Sequence, residues 1–166
     1  MKKLEKNKTD SRIHGGKLSE PPRKPVTVLH VDDDPNDTTL LRVACAKADV
    51  NFELQNIGDC TEAMDYLSGT GKYADRAQYQ FPGLVLLDLK MPRATGYDVL
   101  EWLKTKSFPS LTVAVLSGSV LESDKEKCQQ LGAHAYFTKC ASISQIKVIL
   151  QKVENMLDHS LHAQAA

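Results

Sequence analysis

From Val26 to Leu157 short apolar runs alternate with stretches of helical spacing. Val26–Val31 is a compact β-rich run that stops at Asp32-Asp33-Asp34. Pro35 suits the first position of a helix capped by Asp34, which continues through Leu40, Leu41, Ala44 and Cys45. Phe52–Ile57 reads as a second strand, with the lower apolar content of a sheet edge. Asp59 and Glu62 resemble a capping box ahead of Ala63, Met64, Tyr66 and Leu67. Residues 69–80 are polar and predict a loop or a short helical extension. Leu84–Leu89 is apolar on both faces apart from Asp88, the pattern of a central parallel strand covered on both sides. Ala94 or Thr95 opens a helix containing Val99, Leu100 and Leu103. Leu111–Leu116 is another buried strand, running into Ser117-Gly118-Ser119. Ser123 and Glu126 predict a second capping box, and Gly132 a helix stop. Ala135–Thr138 is a short fifth strand before Lys139. Ser142 and Gln145 cap a last helix, with Ile143, Ile146, Ile149, Leu150, Val153 and Leu157 at near-helical spacing.

Five strands alternating with five helices imply right-handed crossovers and an α/β fold with a doubly wound parallel sheet. In such sheets chemistry sits beyond the carboxyl ends of the strands. Strand one ends in Asp32 and Asp33, strand three in Asp88, strand four in Ser117 and strand five in Lys139. Three carboxylates at one rim repel one another unless a cation sits between them. Oxygen ligands without His or Cys suit magnesium. A lysine and a hydroxyl on the far side suit a phosphoryl group. Singly, each residue has a plainer reading as a helix cap, strand-end carboxylate, turn serine or surface lysine; it is their joint placement that points to phosphoryl chemistry. His30, two residues before Asp32 on the same strand face, reads as a core histidine.

Composition refines this picture. With 166 residues, 42% hydrophobic, the chain has room for one ordinary domain and a tail. Residues 1–25 hold eight basic and three acidic residues, a net of +5 with almost no apolar side chains, and are expected to form a disordered basic tail. The domain is expected over 26–158, net acidic, with a short tail at 159–166. A formal net charge of zero gives no support for generic nucleic-acid binding. The apolar runs are too short to cross a bilayer, and the start lacks the apolar core of a secretory signal. Cys45, Cys60, Cys128 and Cys140 are widely spaced and match neither a zinc site nor a disulfide framework, so a reducing cytoplasm is expected.

The segments VTVLHVDDDPND, LVLLDLKMPRATGYDVL, VAVLSGS and GAHAYFTK resemble, in order and in strand position, the receiver domain of two-component response regulators over residues 25–157. The resemblance implies a flavodoxin-like sheet of order 2-1-3-4-5. It implies that Asp88 is the phosphoacceptor and that Asp32, Asp33, Asp88 and the main-chain carbonyl of Lys90 hold magnesium, with Asp32 acting through water. Ser117 matches the family's hydroxyl residue, Lys139 its lysine and Tyr136 its aromatic switch position, so Ser117 and Tyr136 are the expected switch. Asp88 would take a phosphoryl group from a sensor or hybrid histidine kinase, and the protein would promote its own phosphorylation and dephosphorylation rather than act as an enzyme on a separate substrate. The polar 69–80 segment and KCASISQI look closest to single-domain receivers, some of which work with phytochrome-type kinases. Output is then expected through non-covalent contacts, onward phosphotransfer or a homodimer at helix four, strand five and helix five, without direct DNA or membrane binding. After Leu157 only DHSLHAQAA follows, read as leaving no attached output domain.

Two departures stand out. The family usually follows its lysine with a proline, often cis, where this chain has Cys140. A cis bond before a non-proline costs about 3 kcal/mol, so either the loop carries that cost or the bond is trans. Cys140 beside Lys139 is also a candidate redox-sensitive thiol. The family's common aspartate after Pro82 is Gly83 here. Two rival readings remain. An aspartyl-phosphate hydrolase of the haloacid dehalogenase type wants its nucleophile on strand one in a D-x-D-x-[TV] pattern, which Asp32-Asp33-Asp34-Pro35-Asn36 fails at its last position. A phosphate-independent pseudo-receiver would not need the full set Asp32, Asp33, Asp88, Ser117 and Lys139.

Overall fold

The apolar runs form five parallel strands: β1 (Val26–Val31), β2 (Phe52–Ile57), β3 (Leu84–Leu87), β4 (Thr112–Ser117) and β5 (Ala135–Thr138). Their order is 2-1-3-4-5. This computed structural model describes residues 25–164, so the expected basic tail lies outside the described residues apart from Pro25. The helices are α1 (Pro35–Ala48), α2 (Cys60–Ser68), α3 (Gly96–Lys104), α4 (Glu122–Gln130) and α5 (Ile143–Gln164). Within the polar 69–80 segment lies a short 3-10 turn at Gly71–Tyr73.

The period of two along each strand splits the core into two layers. Leu29, Val31, Val85, Leu87, Val113 and Val115 face α2, α3 and α4, where Ala63, Tyr66, Val99, Leu100 and Cys128 meet them. Val28, Leu84, Leu86, Ala114 and Leu116 face α1 and α5, against Leu41, Ala44, Ile146, Leu150 and Val153. All four β3 residues have no exposed surface, as expected of the central strand. Burying side chains of this size contributes about 1.5–3 kcal/mol each. At Gly83 a Cβ would come within 2.6 Å of Val26 Cγ1 and 3.0 Å of Leu157 Cδ2. Side chains of β1 and α5 therefore pack closely over Gly83, and a larger residue there would have to displace them.

Several local expectations shift. Asp34 caps α1 by accepting from the Asn36 N–H, with Pro35 opening the helix, and Thr95 forms a full capping box with Asp98. At α2 only half a capping box forms. Asp59 accepts from the Glu62 N–H, whereas the Glu62 carboxylate turns to the Tyr73 hydroxyl and to Lys72. The capping box expected at Ser123 does not form, because α4 starts two residues earlier, at Glu122 after Leu121. Ser119 serves that turn instead, accepting from the Leu121 N–H and donating to Asp124. β3 stops two residues short of Leu89, and β4 runs from Thr112 to Ser117. α5 continues to Gln164, so residues 159–164, expected as a tail, are helical. The Lys139–Cys140 peptide is trans. Among the described residues no helix is long and apolar enough to cross a membrane.

Candidate functional site

The sheet ladder fixes the height of the rim residues. Hydrogen bonds run one residue past the strands: Asp32 N donates to Ile57 O at 3.0 Å, Asp88 N to Val31 O at 2.9 Å and Lys139 N to Ser117 O at 2.8 Å. Residues just beyond β1, β3 and β5 are thereby held to their neighbours, and their side chains gather at one edge. Gly96 sets the approach of α3, since a Cβ there would stand 2.2 Å from the Asp88 carbonyl oxygen. Its N–H instead donates to Leu89 O at 3.1 Å, seating the helix start against the chain that carries Asp88.

Asp32, Asp33 and Asp88 each bring one carboxylate oxygen within 4.8 Å of the others. Asp32 and Asp88 are buried and Asp33 is exposed. Like charges about 4 Å apart cost roughly 4 kcal/mol in a partly buried setting, so this cluster requires positive charge. Lys139 supplies part of it. Its Nζ lies 2.8 Å from Asp32 Oδ2, 2.8 Å from Asp37 Oδ2 and 3.3 Å from Asp88 Oδ2. The lysine expected on the far side of the site thus bridges the carboxylates directly.

The two buried aspartates shift in opposite directions. Burial pushes Asp32 up, but the close approach of His30 and Lys139, the Asp34 N–H and the Lys139 charge outweigh it and carry Asp32 down to about 2. Burial raises Asp88, with Lys139 opposing and the Asp32 charge adding to the rise. Burial alone would lower Lys139, yet its pairing with Asp32 and Asp37 and the charges of Asp32 and Asp88 raise it. A depressed carboxyl favours the fold in its ionised state. Asp32 therefore contributes stability above its ordinary value of 3.8, and that contribution is lost as the pH falls through about 2. Asp32→Asn should lower the melting temperature at neutral pH, with the gap to wild type closing over that acid window. Thermal melts across the range check it, and a gap that stays constant in acid would contradict the Lys139–Asp32 pairing.

The donor set suits a hard divalent cation: three carboxylates, one exposed, with no His or Cys among them. Asp32 Oδ2 is buried and faces only the Lys139 ammonium and the His30 ring, which leaves a lone pair for a further partner. Lys90 lies on the loop after β3 with its side chain exposed.

The expected switch residues occupy the β4–α4 side. Ser117, the last residue of β4, is fully buried, and its Oγ accepts from the Ser119 N–H at 3.3 Å. Tyr136 donates from its hydroxyl to Ser119 O at 2.9 Å, so it is tied to the loop that follows Ser117. Ser119 in turn donates to Asp124 at 2.5 Å. Burial and the nearby Asp124 carboxylate of α4 raise the Tyr97 phenol of α3. Asp37, Gly96 and Ser119 were not singled out from the sequence. Asp37 had a signal, since it lies in the first turn of α1 just after the acidic run Asp32-Asp33-Asp34. Gly96 and Ser119 had none, because their roles are contacts between distant segments.

The response regulator receiver domain model matches residues 28–151, and the chain belongs to that family. Among its relatives, response regulator Rcp1 of Synechocystis sp. is 27% identical over 139 residues, spanning 83% of this chain and 92% of that protein. The structure is similar to that of the phosphorylated cyanobacterial phytochrome response regulator RcpA, with a TM-score of 0.70 and 33% identity over 80% of this chain and 94% of that one. It is also similar to the Mn(2+)-bound form of response regulator Rcp1, with a TM-score of 0.67 and 28% identity, covering 78% and 92% of the two chains.

Proposed function

We propose that this response regulator works as a single-domain cytoplasmic receiver that accepts a phosphoryl group on Asp88 from a sensor or hybrid histidine kinase. The observation that carries the reading is the convergence of Asp32, Asp33 and Asp88 with the Lys139 ammonium at one sheet edge. The Asp88 carboxylate attacks the phosphorus of a phosphohistidine. An O–P bond forms, the P–N bond breaks, and the imidazole leaves with a proton. Asp33 and Asp88, the Lys90 main-chain carbonyl, and Asp32 through water would hold magnesium. When bound, the metal neutralises charge on the phosphoryl oxygens. Lys139 exchanges Asp32 and Asp37 for a phosphoryl oxygen. The same groups let the protein promote both its phosphorylation and its hydrolysis. The likeness to a phytochrome response regulator favours a phytochrome-like kinase as the partner. Incubation with acetyl phosphate and magnesium should add one phosphate, read by intact mass; a chain that takes up none behaves as a pseudo-receiver.

Output runs through the loop after β4. Ser117 gives up the Ser119 N–H to reach the phosphoryl group, and Tyr136, bonded to Ser119 O, moves with that loop. Val120, Leu121 and Val148 are 70%, 60% and 56% exposed, which supports a homodimer or partner contact at α4, β5 and α5. Couplings of this kind are about 1–3 kcal/mol, so self-association should strengthen by a modest factor. Sedimentation with and without beryllofluoride measures it. Ser117→Ala should still be phosphorylated but lose the response; a full response in that variant rules out the hydroxyl as the switch.

A further inference from the structure

His30 occupies a core position of β1 with 1% exposure, yet both ring nitrogens face polar atoms. Nδ1 lies 2.9 Å from the side-chain amide of Asn56, its cross-strand neighbour on β2, and Nε2 lies 3.4 Å from Asp32 Oδ2. Arg42 of α1 decides which way this chain of contacts runs. A guanidinium only donates, so the Asn56 amide turns its oxygen to Arg42, 2.9 Å from both Nε and Nη2. Its NH2 then donates to His30 Nδ1 at 2.9 Å. With Nδ1 accepting, a neutral ring carries its proton on Nε2, the atom that faces Asp32. Arg42 donates to Asn56 and Asn56 to His30, whose Nε2 faces the carboxylate at 3.4 Å without yet bonding to it.

The same Asp32 oxygen is held at 2.8 Å by Lys139, which explains why the His30 contact is long. Resting on the functional reading above, in which Lys139 moves to the phosphoryl group, we propose that His30 is a positioning residue for Asp32. Its Nε2–H, set by the Arg42–Asn56 relay, takes over Oδ2 when the lysine leaves and keeps the carboxylate aligned toward the metal. An aliphatic side chain could fill the core there but could not replace the departing donor, and a buried carboxylate without a partner is costly. His30 does not touch the metal or the phosphoryl group; it acts through Asp32, as groups that orient metal ligands do.

The full chain tests this directly. Long-range 15N NMR of wild type at neutral pH should show the Nε2–H tautomer for His30, and an Nδ1–H tautomer overturns the proposal. By calorimetry with Mg2+ in the presence of beryllofluoride, which draws Lys139 off Asp32 as a phosphoryl group would, His30→Leu should weaken Mg2+ binding by about tenfold, the lower end for loss of a group that orients a ligand. His30→Gln, whose amide N–H can donate to Oδ2, should recover most of it, which a purely space-filling role would not produce. Equal losses in both variants, or a His30→Leu affinity within about twofold of wild type, overturn the inference. Asn56→Leu, on the edge strand and outside the site, should weaken Mg2+ in the same direction and decides the matter if His30→Leu fails to fold. Wild type that binds no Mg2+ sinks the functional reading as well. Normal wild-type binding and phosphorylation with an inert His30→Leu sinks this inference alone.

Discussion

Asp88→Asn takes up no phosphate from acetyl phosphate and magnesium under conditions where wild type gains one, and it remains folded. Asn keeps the shape of the side chain and removes the nucleophile, so the loss is complete rather than graded. The variant should also melt at or above the wild-type temperature at neutral pH. Burial raises the Asp88 carboxyl, so its favourable contribution is present below the ordinary value of 3.8 and is lost as the pH rises through the raised one. At neutral pH the ionised side chain weakens the fold, pressed further by the Asp32 charge, and Asn relieves both effects. The stability gap should shrink in acid. Intact mass and thermal melts read the two parts separately. A variant labelled at the wild-type rate would place the acceptor elsewhere.

Chelating divalent metal should stop labelling of wild type, and the two aspartates of the acidic pair should answer differently. Asp33→Ala should weaken Mg2+ binding by more than about tenfold. Asp32→Ala should weaken it less. The structure supplies the reason: Asp33 is exposed at the rim, whereas Asp32 is buried and already engaged by Lys139. Calorimetry measures both affinities. Equal weakening would mean that the pair shares one role and that the division into direct and water-mediated ligands is wrong.

The sheet was legible in the chain because its strands carry their own signal. Val26–Val31, Phe52–Ile57 and Ala135–Thr138 are bounded by residues that end a strand, and the structure keeps those limits. The edge character of β2 and the central place of β3 also followed from their apolar content. Local capping was less secure. Asp34 caps as its spacing suggests and Thr95, read only as a possible helix start, caps α3, but Ser123 does not cap, because a cap is chosen where the loop before it is anchored. Here Ser119, held to Ser117, Asp124 and Tyr136, draws the start of α4 back by two residues. The end of α5 was likewise misjudged from its thinning apolar stripe: Ser160 bonds Thr112 at the foot of β4, and the helix runs on past Leu157.

The candidate site divides along the same line. From the sequence alone came the class of fold and the placing of Asp32, Asp33, Asp88, Ser117 and Lys139 at strand ends, because strand periodicity and residue type are local properties that each segment displays unaided. Only the tertiary structure decided that Lys139 rests between Asp32, Asp37 and Asp88, that Gly96 lets α3 close on the Asp88 backbone, and that His30, paired with Asn56 and through it with Arg42, faces Asp32. Those facts depend on distances between segments far apart in the chain. A histidine in an apolar strand looks the same in a sequence whether its nitrogens face methyl groups or a carboxylate, and packing alone settles which.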